Sequence, residues 1–411
     1  MGEPAEVLAE VCDAGSLMAA GVGDQVGGVA AGVVCRPGSP EELAEVLRAC
    51  TAHGWRAVPR GAGTKLDWGA APDGVDVIVD TTRLDRVLEH AAGDLVVRAQ
   101  AGVRLADLQR TLATSHQRIA LDPPHPGATL GGVVAAASSG PLRVGYGTPR
   151  DLLIGVTVAL ADGTLARSGG KVVKNVAGYD LGKLYCGSFG TLGVVTDMVF
   201  RLHPRPATAA YLAVGLDGAD EVAAAVRRLR AAQLVPAAVE VERTDTGYRL
   251  TVLLEGVAPG VRARAQHAGE LLGAAEVQRP SSWGDLPQAA GGLLVKMVAE
   301  PAAVGVSLRA VADVLGGLDP GYQLRGSAGV NVLYGAAGGA GDPELVRAAV
   351  ERLRSALAGH DGSVVVLQAP AAVRRRLDVW GPTNGLALMR RIKHELDPGR
   401  VLAPGRFVGG I

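Results

Sequence analysis

Glycine, more than any other residue, limits what this chain can fold into. Between residues 125 and 195 the sequence reads His-Pro-Gly-Ala-Thr-Leu-Gly-Gly (125–132), Gly-Tyr-Gly-Thr-Pro-Arg-Asp (145–151), Lys-Asn-Val-Ala-Gly-Tyr-Asp (174–180) and Gly-Ser-Phe-Gly-Thr-Leu-Gly-Val-Val (187–195). Strand-like apolar runs at 153–160 and 194–200 separate these clusters, so the stretch is not a linker. Glycine belongs where a backbone turns sharply or comes close to something. Many such positions inside one packed domain point to a large ligand lying along main chain.

The rest of the chain supplies a core for such a domain. Its 411 residues, 48% of them apolar, predict a soluble globular protein of two or three domains. Aromatics are only 3%, so Ala, Val and Leu fill the core, and no basic groove interleaved with aromatics speaks for nucleic acid. Lys plus Arg equals Asp plus Glu, 41 each, which gives no electrostatic case for nucleic acid or an anionic membrane. Cys12, Cys35, Cys50 and Cys186 form no Cys-x-x-Cys pair. That pattern argues against an iron–sulfur or zinc site within this chain and fits reduced thiols in a cytoplasmic protein. The acidic N-terminus lacks the basic start of a secretory signal. No apolar run reaches the ~20 residues of a membrane span, so membrane association is expected only through partners.

Taken in order, residues 3–20 are expected to be helical, on the spacing of Val7, Leu8, Val11 and Leu17. A strand at 33–36 leads to Ser39, a helix N-cap, and Pro40, a first-turn residue. Residues 41–53 form an amphipathic helix that Gly54 ends, and 56–59 form the next strand, which completes a β-α-β unit. That strand runs into Arg60-Gly61-Ala62-Gly63-Thr64-Lys65. Such a loop is either a backbone N–H nest for an anion, usually phosphate, or an ordinary glycine turn. It is neither a dinucleotide fingerprint nor a Walker loop. Residues 152–160 and 165–168 read as a hairpin about Asp162-Gly163. His203-Pro204-Arg205-Pro206 marks a boundary. Beyond it, strands at 211–216, 237–242, 248–254, 292–299, 329–333 and 363–368 alternate with helices at 220–232, 262–272, 304–315 and 343–357. This predicts an α+β domain with an antiparallel sheet. Residues 374–376, all Arg, read as a solvated face or a partner contact. A helix at 386–396 ends at Asp397-Pro398-Gly399.

Pro-Arg-Gly-Ala-Gly-Thr at 59–64, Pro-Gly-Ala-Thr-Leu-Gly-Gly at 126–132 and Gly-Ser-Phe-Gly-Thr-Leu-Gly-Val-Val at 187–195 together resemble the FAD-binding domain of vanillyl-alcohol oxidase (PCMH-type) flavoenzymes. Leu-Asp-Pro-Gly-Arg-Val-Leu-Ala-Pro-Gly-Arg-Phe at 396–407 is similar to that superfamily's closing segment, which returns to the flavin. Within the superfamily, residues 122–132, 171–184 and 379–382 resemble the FAD-binding E subunits of bacterial glycolate oxidase. The resemblance implies an α+β fold: a PCMH-type FAD-binding domain of two α+β subdomains, plus an α+β cap domain with an antiparallel sheet. The corresponding segments are 1–25 (helical), 26–205 (FAD-binding), 206–375 (cap) and 376–411 (returning to the FAD domain).

It also implies a placement for non-covalent FAD. Arg60, Gly61, Ala62, Gly63, Thr64 and Lys65 would cradle the pyrophosphate. Ala128, Thr129 and Gly132 would line the diphosphate and ribityl chain, and Gly147, Arg150 and Asp151 the nucleotide half. Gly190, Gly193 and Val195 would lie along the adenine, with Lys174, Asn175 and Tyr179 near the isoalloxazine. The chain departs from the family's pattern in four places. Gly359-His360-Asp361-Gly362-Ser363 stands where catalytic relatives carry Gly-His-x-Gly-Asp-Gly-Asn, so His360 reads as a loop histidine. Phe189 replaces a glutamate, Ala403 replaces an asparagine, and no histidine for covalent attachment occurs at 60–69. No catalytic base and no metal ligand is assigned. The resemblance implies an FAD-dependent oxidoreductase subunit that oxidises a small 2-hydroxy acid, glycolate to glyoxylate. Its partners would be a catalytic D-type flavin subunit and an iron–sulfur F-type subunit. A self-sufficient flavoenzyme and a scaffold without flavin are the other readings.

Overall fold

The structure, a computed structural model, describes residues 3–13, 15–171, 179–288 and 291–411. It divides into two compact units. The first comprises residues 1–138, 148–205 and 383–411; the second comprises 139–147 and 206–382. The architecture is α+β throughout, as the alternation of patterns predicts.

The first unit holds two sheets. One runs in the order Leu17–Ala19, Val29–Cys35, Val75–Asp80, Ala57–Arg60, with Gln25–Val26 folded back on Val29–Cys35. Its last three strands are parallel, because helix Pro40–His53 carries the chain back between them. The Ser39 hydroxyl accepts from the Glu42 N–H, Pro40 fills the first turn, and Gly54 closes the helix at φ +69°. The helix buries Leu43, Val46, Leu47 and Cys50 under a core that includes Val77, Val79 and Leu84. Each such side chain contributes ~1.5–3 kcal/mol, and Leu47→Ala would cost ~2–5 kcal/mol with the cavity it leaves. The second sheet is antiparallel, in the order Leu165–Gly169, Leu153–Ala159, Val194–Arg201, Val96–Gln100, Val87–Ala91. The hairpin about Asp162-Gly163 forms its edge.

The N-terminus differs from expectation. The helix covers only Pro4–Val11, and Leu17–Ala19 is a strand paired antiparallel with Cys35, Val34 and Val33. Gly15, at φ +85°, breaks the helical run, and the sheet edge at Val33–Cys35 offers residues 17–19 a hydrogen-bonding partner. At that junction the Cys12 and Cys35 sulfurs lie 2.7 Å apart, and all four cysteines are free thiols.

In the second unit an eight-stranded antiparallel sheet runs Ala275–Val277, Thr208–Leu216, Gly247–Gly256, Ala238–Thr244, Gln323–Ser327, Val332–Ala337, Leu293–Val298, Ser363–Gln368. Helices Ala219–Ala231, Ala258–Leu272, Val304–Leu318 and Pro343–Leu357 accompany it. The strand expected at 329–333 is shifted: residues 328–331 turn, with Asn331 at φ +52°, between Gln323–Ser327 and Val332–Ala337. Pro301–Leu318 is long and apolar enough to cross a membrane by length and composition, and half of it is buried inside the fold.

Residues 383–411 complete the first unit. The Ala57 N–H donates to Val401 O and the Ala403 N–H to Ala57 O, at 2.8 and 2.9 Å. The C-terminal segment therefore lies along the strand that leads into the 60–65 loop.

Candidate functional site

Strand Ala57–Arg60 sets the site's position by ending in a fixed residue. The Arg60 guanidinium donates to Asp80 from Nε (3.1 Å) and Nη2 (2.8 Å), and to Asp24 from Nη1. Thr81 Oγ1 donates to the Arg60 carbonyl at 3.1 Å. Burial works against the Arg60 charge, but its bonds to Asp24 and Asp80 outweigh that and hold it firmly protonated. The Arg60 side chain is thus an anchor, and what residues 60–65 offer a ligand is chiefly backbone.

Three segments then meet with almost no side chain between them. A Cβ at Gly61 would fall 2.1 Å from Thr129 Oγ1, and one at Gly190 would fall 2.3 Å from Pro59 Cγ. Only glycine permits this approach of the 60–65, 129–132 and 187–195 segments. Thr129 caps helix Leu130–Ala135 by accepting from the Gly132 N–H. The three segments line an open cleft with about 100 Å³ of space accessible to water.

The cleft's charge comes from Lys65 and Arg406. Lys65 is 9% exposed. Its Nζ lies 3.2 Å from Thr64 Oγ1 and 5.6 Å from the Trp68 ring, and it has no carboxylate partner among the described residues. Burial pushes it down to about 8. His125, whose ring faces Trp68 edge-on at 5.8 Å, is also pushed down, by burial first and then by the Lys65 charge. Arg406, 4% exposed, donates to Leu66 O at 2.9 Å and Lys65 O at 3.1 Å. It also lies 5.9 Å from the Phe189 ring.

Arg60, Gly61, Ala62, Gly63, Thr64, Lys65, Thr129, Gly132, Gly190, Gly193 and Val195 all line this cleft. Ala128 is buried beside it, its carbonyl accepting from the Leu105 N–H. Arg150 and Asp151 do not line it. The Asp151 carboxylate closes a capping box with Thr148, and Arg150 faces a separate cavity with Lys183 and Cys186. Gly147 belongs to the second unit, where it caps helix Arg143–Tyr146. Lys174 and Asn175 lie outside the described residues, and Tyr179 is exposed. Sequence reasoning missed Arg406, Phe189, Thr81 and Ala101 as lining residues. For Arg406 the signal was the closing segment itself, one residue before Phe407. His360 sits in a short turn, with Nδ1 2.8 Å from Glu300 Oε1. Among the described residues, no group of three or more His, Cys, Asp or Glu is placed to hold a metal ion.

Residues 31–169 match the family described as FAD binding domain, and residues 379–407 match FAD linked oxidases, C-terminal domain. These two segments are similar to parts of FAD-linked oxidases. It is 35% identical over 211 residues to glycolate oxidase subunit GlcD of Bacillus subtilis (strain 168), covering 50% of this chain and 44% of that protein. It is 39% identical over 122 residues to glycolate oxidase subunit GlcE of Escherichia coli (strain K12), covering 29% of this chain and 35% of that one. The chain thus spans less than half the length of these curated relatives. Its fold matches the crystal structure of p-cresol methylhydroxylase with substrate bound at a TM-score of 0.77 and 16% identity, covering 98% of this chain and 96% of that one. The PCMH-type fold is therefore shared.

FAD is the cofactor of the binding domain that residues 31–169 match, and the cleft fits its diphosphate. Three glycine-bearing segments line the cleft, and the buried Lys65, without a carboxylate partner among the described residues, stands at the 60–65 loop. The Lys65 ammonium and the 61–65 backbone would hold the pyrophosphate, and Arg406, bonded to the Lys65 and Leu66 carbonyls, would brace that loop. A dianionic diphosphate returns to Lys65 the charge compensation that burial removed.

Proposed function

We propose that this chain is the FAD-bearing, E-type subunit of an oxidase or dehydrogenase for small 2-hydroxy acids, with glycolate to glyoxylate as its reaction. The observation that carries the reading is a cleft suited to FAD in a chain whose relatives are named glycolate oxidase subunits. FAD, when bound, supplies a two-electron acceptor. The chain's own contribution is to bind it and to keep water from its diphosphate. Onward electron transfer falls to partners, a D-type flavin subunit and an iron–sulfur F-type subunit. Cys12, Cys35, Cys50 and Cys186 do not make a cluster site among the described residues. Among the described histidines, His267 and His394 are exposed on helices and His360 is bonded to Glu300. None of the three lines the cleft suited to FAD, which favours the subunit reading over a self-sufficient enzyme.

The test is steady-state oxidation of glycolate and D-lactate with an artificial acceptor, comparing the isolated chain with the reconstituted complex. A positioned base contributes ~10²–10⁴-fold, so turnover per flavin is expected to rise by about that factor in the complex. Equal turnover per flavin in the two preparations would instead make the chain self-sufficient.

A further inference from the structure

Helix Pro4–Val11 is held to the first unit by its apolar side. Leu8 is fully buried, and Val7, Val11 and Leu17 pack against a core that includes Cys35, Leu43, Val46 and Leu47. The helix ends at Cys12, whose N–H donates to Leu8 O at 2.9 Å. Strand Leu17–Ala19 then runs antiparallel to the end of Val29–Cys35, with Leu17 opposite Cys35. That return places the Cys12 and Cys35 sulfurs 2.7 Å apart, although 23 positions separate them in sequence.

Other bonds fix the same corner. The Asp13 N–H donates to Glu42 Oε1 at 2.9 Å, and the Arg36 N–H donates to Ser16 O at 2.7 Å. The Arg83 guanidinium donates to the Ser16 hydroxyl and, at 2.9 Å, to Arg36 O. The two thiols are thus held facing one another, and a covalent S–S bond of ~2.05 Å asks them to close by roughly 0.7 Å.

The two thiols are unlike. Cys12 is half-buried at the surface, whereas Cys35 has no exposed surface. The bond with Cys35 draws the Cys12 thiol below its ordinary value, against burial and the Glu42 and Asp13 carboxylates. The same bond, and then burial, pushes Cys35 up. Cys50, fully buried in helix Pro40–His53, is pushed up to about 12 by burial. An incoming reagent therefore meets Cys12 first.

We propose that Cys12 and Cys35 form a reversible redox site that reacts with low-molecular-weight disulfides. The Cys12 thiolate attacks one sulfur of the reagent, forms a mixed disulfide and expels one thiolate. Cys35 then loses its proton and attacks the Cys12 sulfur, which expels the second thiolate. Two electrons pass from the two protein thiols to the reagent, and their two protons end on the two released thiols. The new bond fastens helix Pro4–Val11 to strand Val29–Cys35. Neither cysteine lines the cleft suited to FAD, so the site works apart from the flavin.

The experiment treats the FAD-loaded full chain with oxidised glutathione and counts its thiols. The count is expected to fall from four to two, and cleavage before Asp13 is expected to give two peptides joined through Cys12 and Cys35. Cys35→Ser is expected to stop with one glutathione on Cys12, and Cys12→Ser to take up none on Cys35. Cys35→Ala serves if the Ser variant does not fold. The crosslinked chain is expected to melt higher by about 5 °C, a shift that dithiothreitol reverses. Four thiols remaining in the wild type, a glutathione retained on Cys12 with Cys35 present, or a bond to Cys50 or Cys186 would overturn the pair. A crosslink that leaves the melting temperature unchanged would overturn the fastening.

Discussion

Lys65 carries a sign that can be measured. Burial holds it at about 8 in the folded chain, against 10.5 for the free side chain. Between those values the unfolded chain binds more protons, so apoprotein stability rises as pH rises through that window. A bound diphosphate favours the charged form and draws a proton back. FAD affinity should therefore be flat below about pH 8 and fall above it, by up to about tenfold per pH unit. Fluorescence titration of apoprotein with FAD from pH 6 to 10 is the check; Lys65→Met should bind weakly with no slope while melting higher as apoprotein. A slope that survives in Lys65→Met would move the effect to another group, His125 first. Gly63 tests the same loop by shape, since it holds φ +72° with no backbone near its would-be Cβ. Gly63→Asp adds strain of ~1–2 kcal/mol and a negative charge where the diphosphate would lie. Flavin content should collapse while the melting temperature drops only a few degrees, and normal flavin content would remove this loop from the site.

Among the elements, the C-terminal helix Leu386–Leu396 deserves the most direct test, because it fixes a segment that crosses to the cleft. Lys393 is 3% exposed, and its Nζ donates to Asp397 Oδ2 (2.6 Å), Thr191 O (2.8 Å) and Leu402 O (2.8 Å). Asp397, fully buried, accepts in turn from the Val401 and Leu402 N–H groups. This clamp ties the helix to the 187–195 loop and to the strand-like run that delivers Arg406. Lys393→Met leaves the Asp397 charge unpaired, a loss of ~3–5 kcal/mol, and should loosen FAD as well. Chemical denaturation and FAD titration measure the two effects; a variant with wild-type values in both would show that the clamp is dispensable. The β-α-β unit that positions the loop was legible in the sequence because its signals are local: Ser39 caps, Pro40 starts, Gly54 stops. Pro343–Leu357, Ser363–Gln368 and Leu386–Leu396 were legible for the same reason. The strand Leu17–Ala19 was not, since its partner is the edge at Val33–Cys35 and its own residues also suit a helix. Arg406 reaches the site through bonds to Lys65 and Leu66, some 340 positions away in sequence, and only the likeness of its closing segment to one that returns to the flavin announces that.

For the whole molecule, the glycine clusters foretold a ligand along main chain, and the segments 60–65, 129–132 and 187–195 do converge on one cleft. Arg150 and Asp151 do not line that cleft; the Thr-Pro-Arg-Asp run forms a helix capping box. The account's central claim is that the cleft holds FAD without a covalent bond, and no histidine stands at 60–69 to form one. The most direct measurement is the flavin content of the purified chain after acid precipitation, in wild type and in Gly63→Asp. The account predicts FAD released in full to the supernatant, stoichiometric with the wild-type chain and nearly absent from the variant. A colourless wild-type chain that takes up no added FAD, or flavin that stays in the pellet, would contradict it.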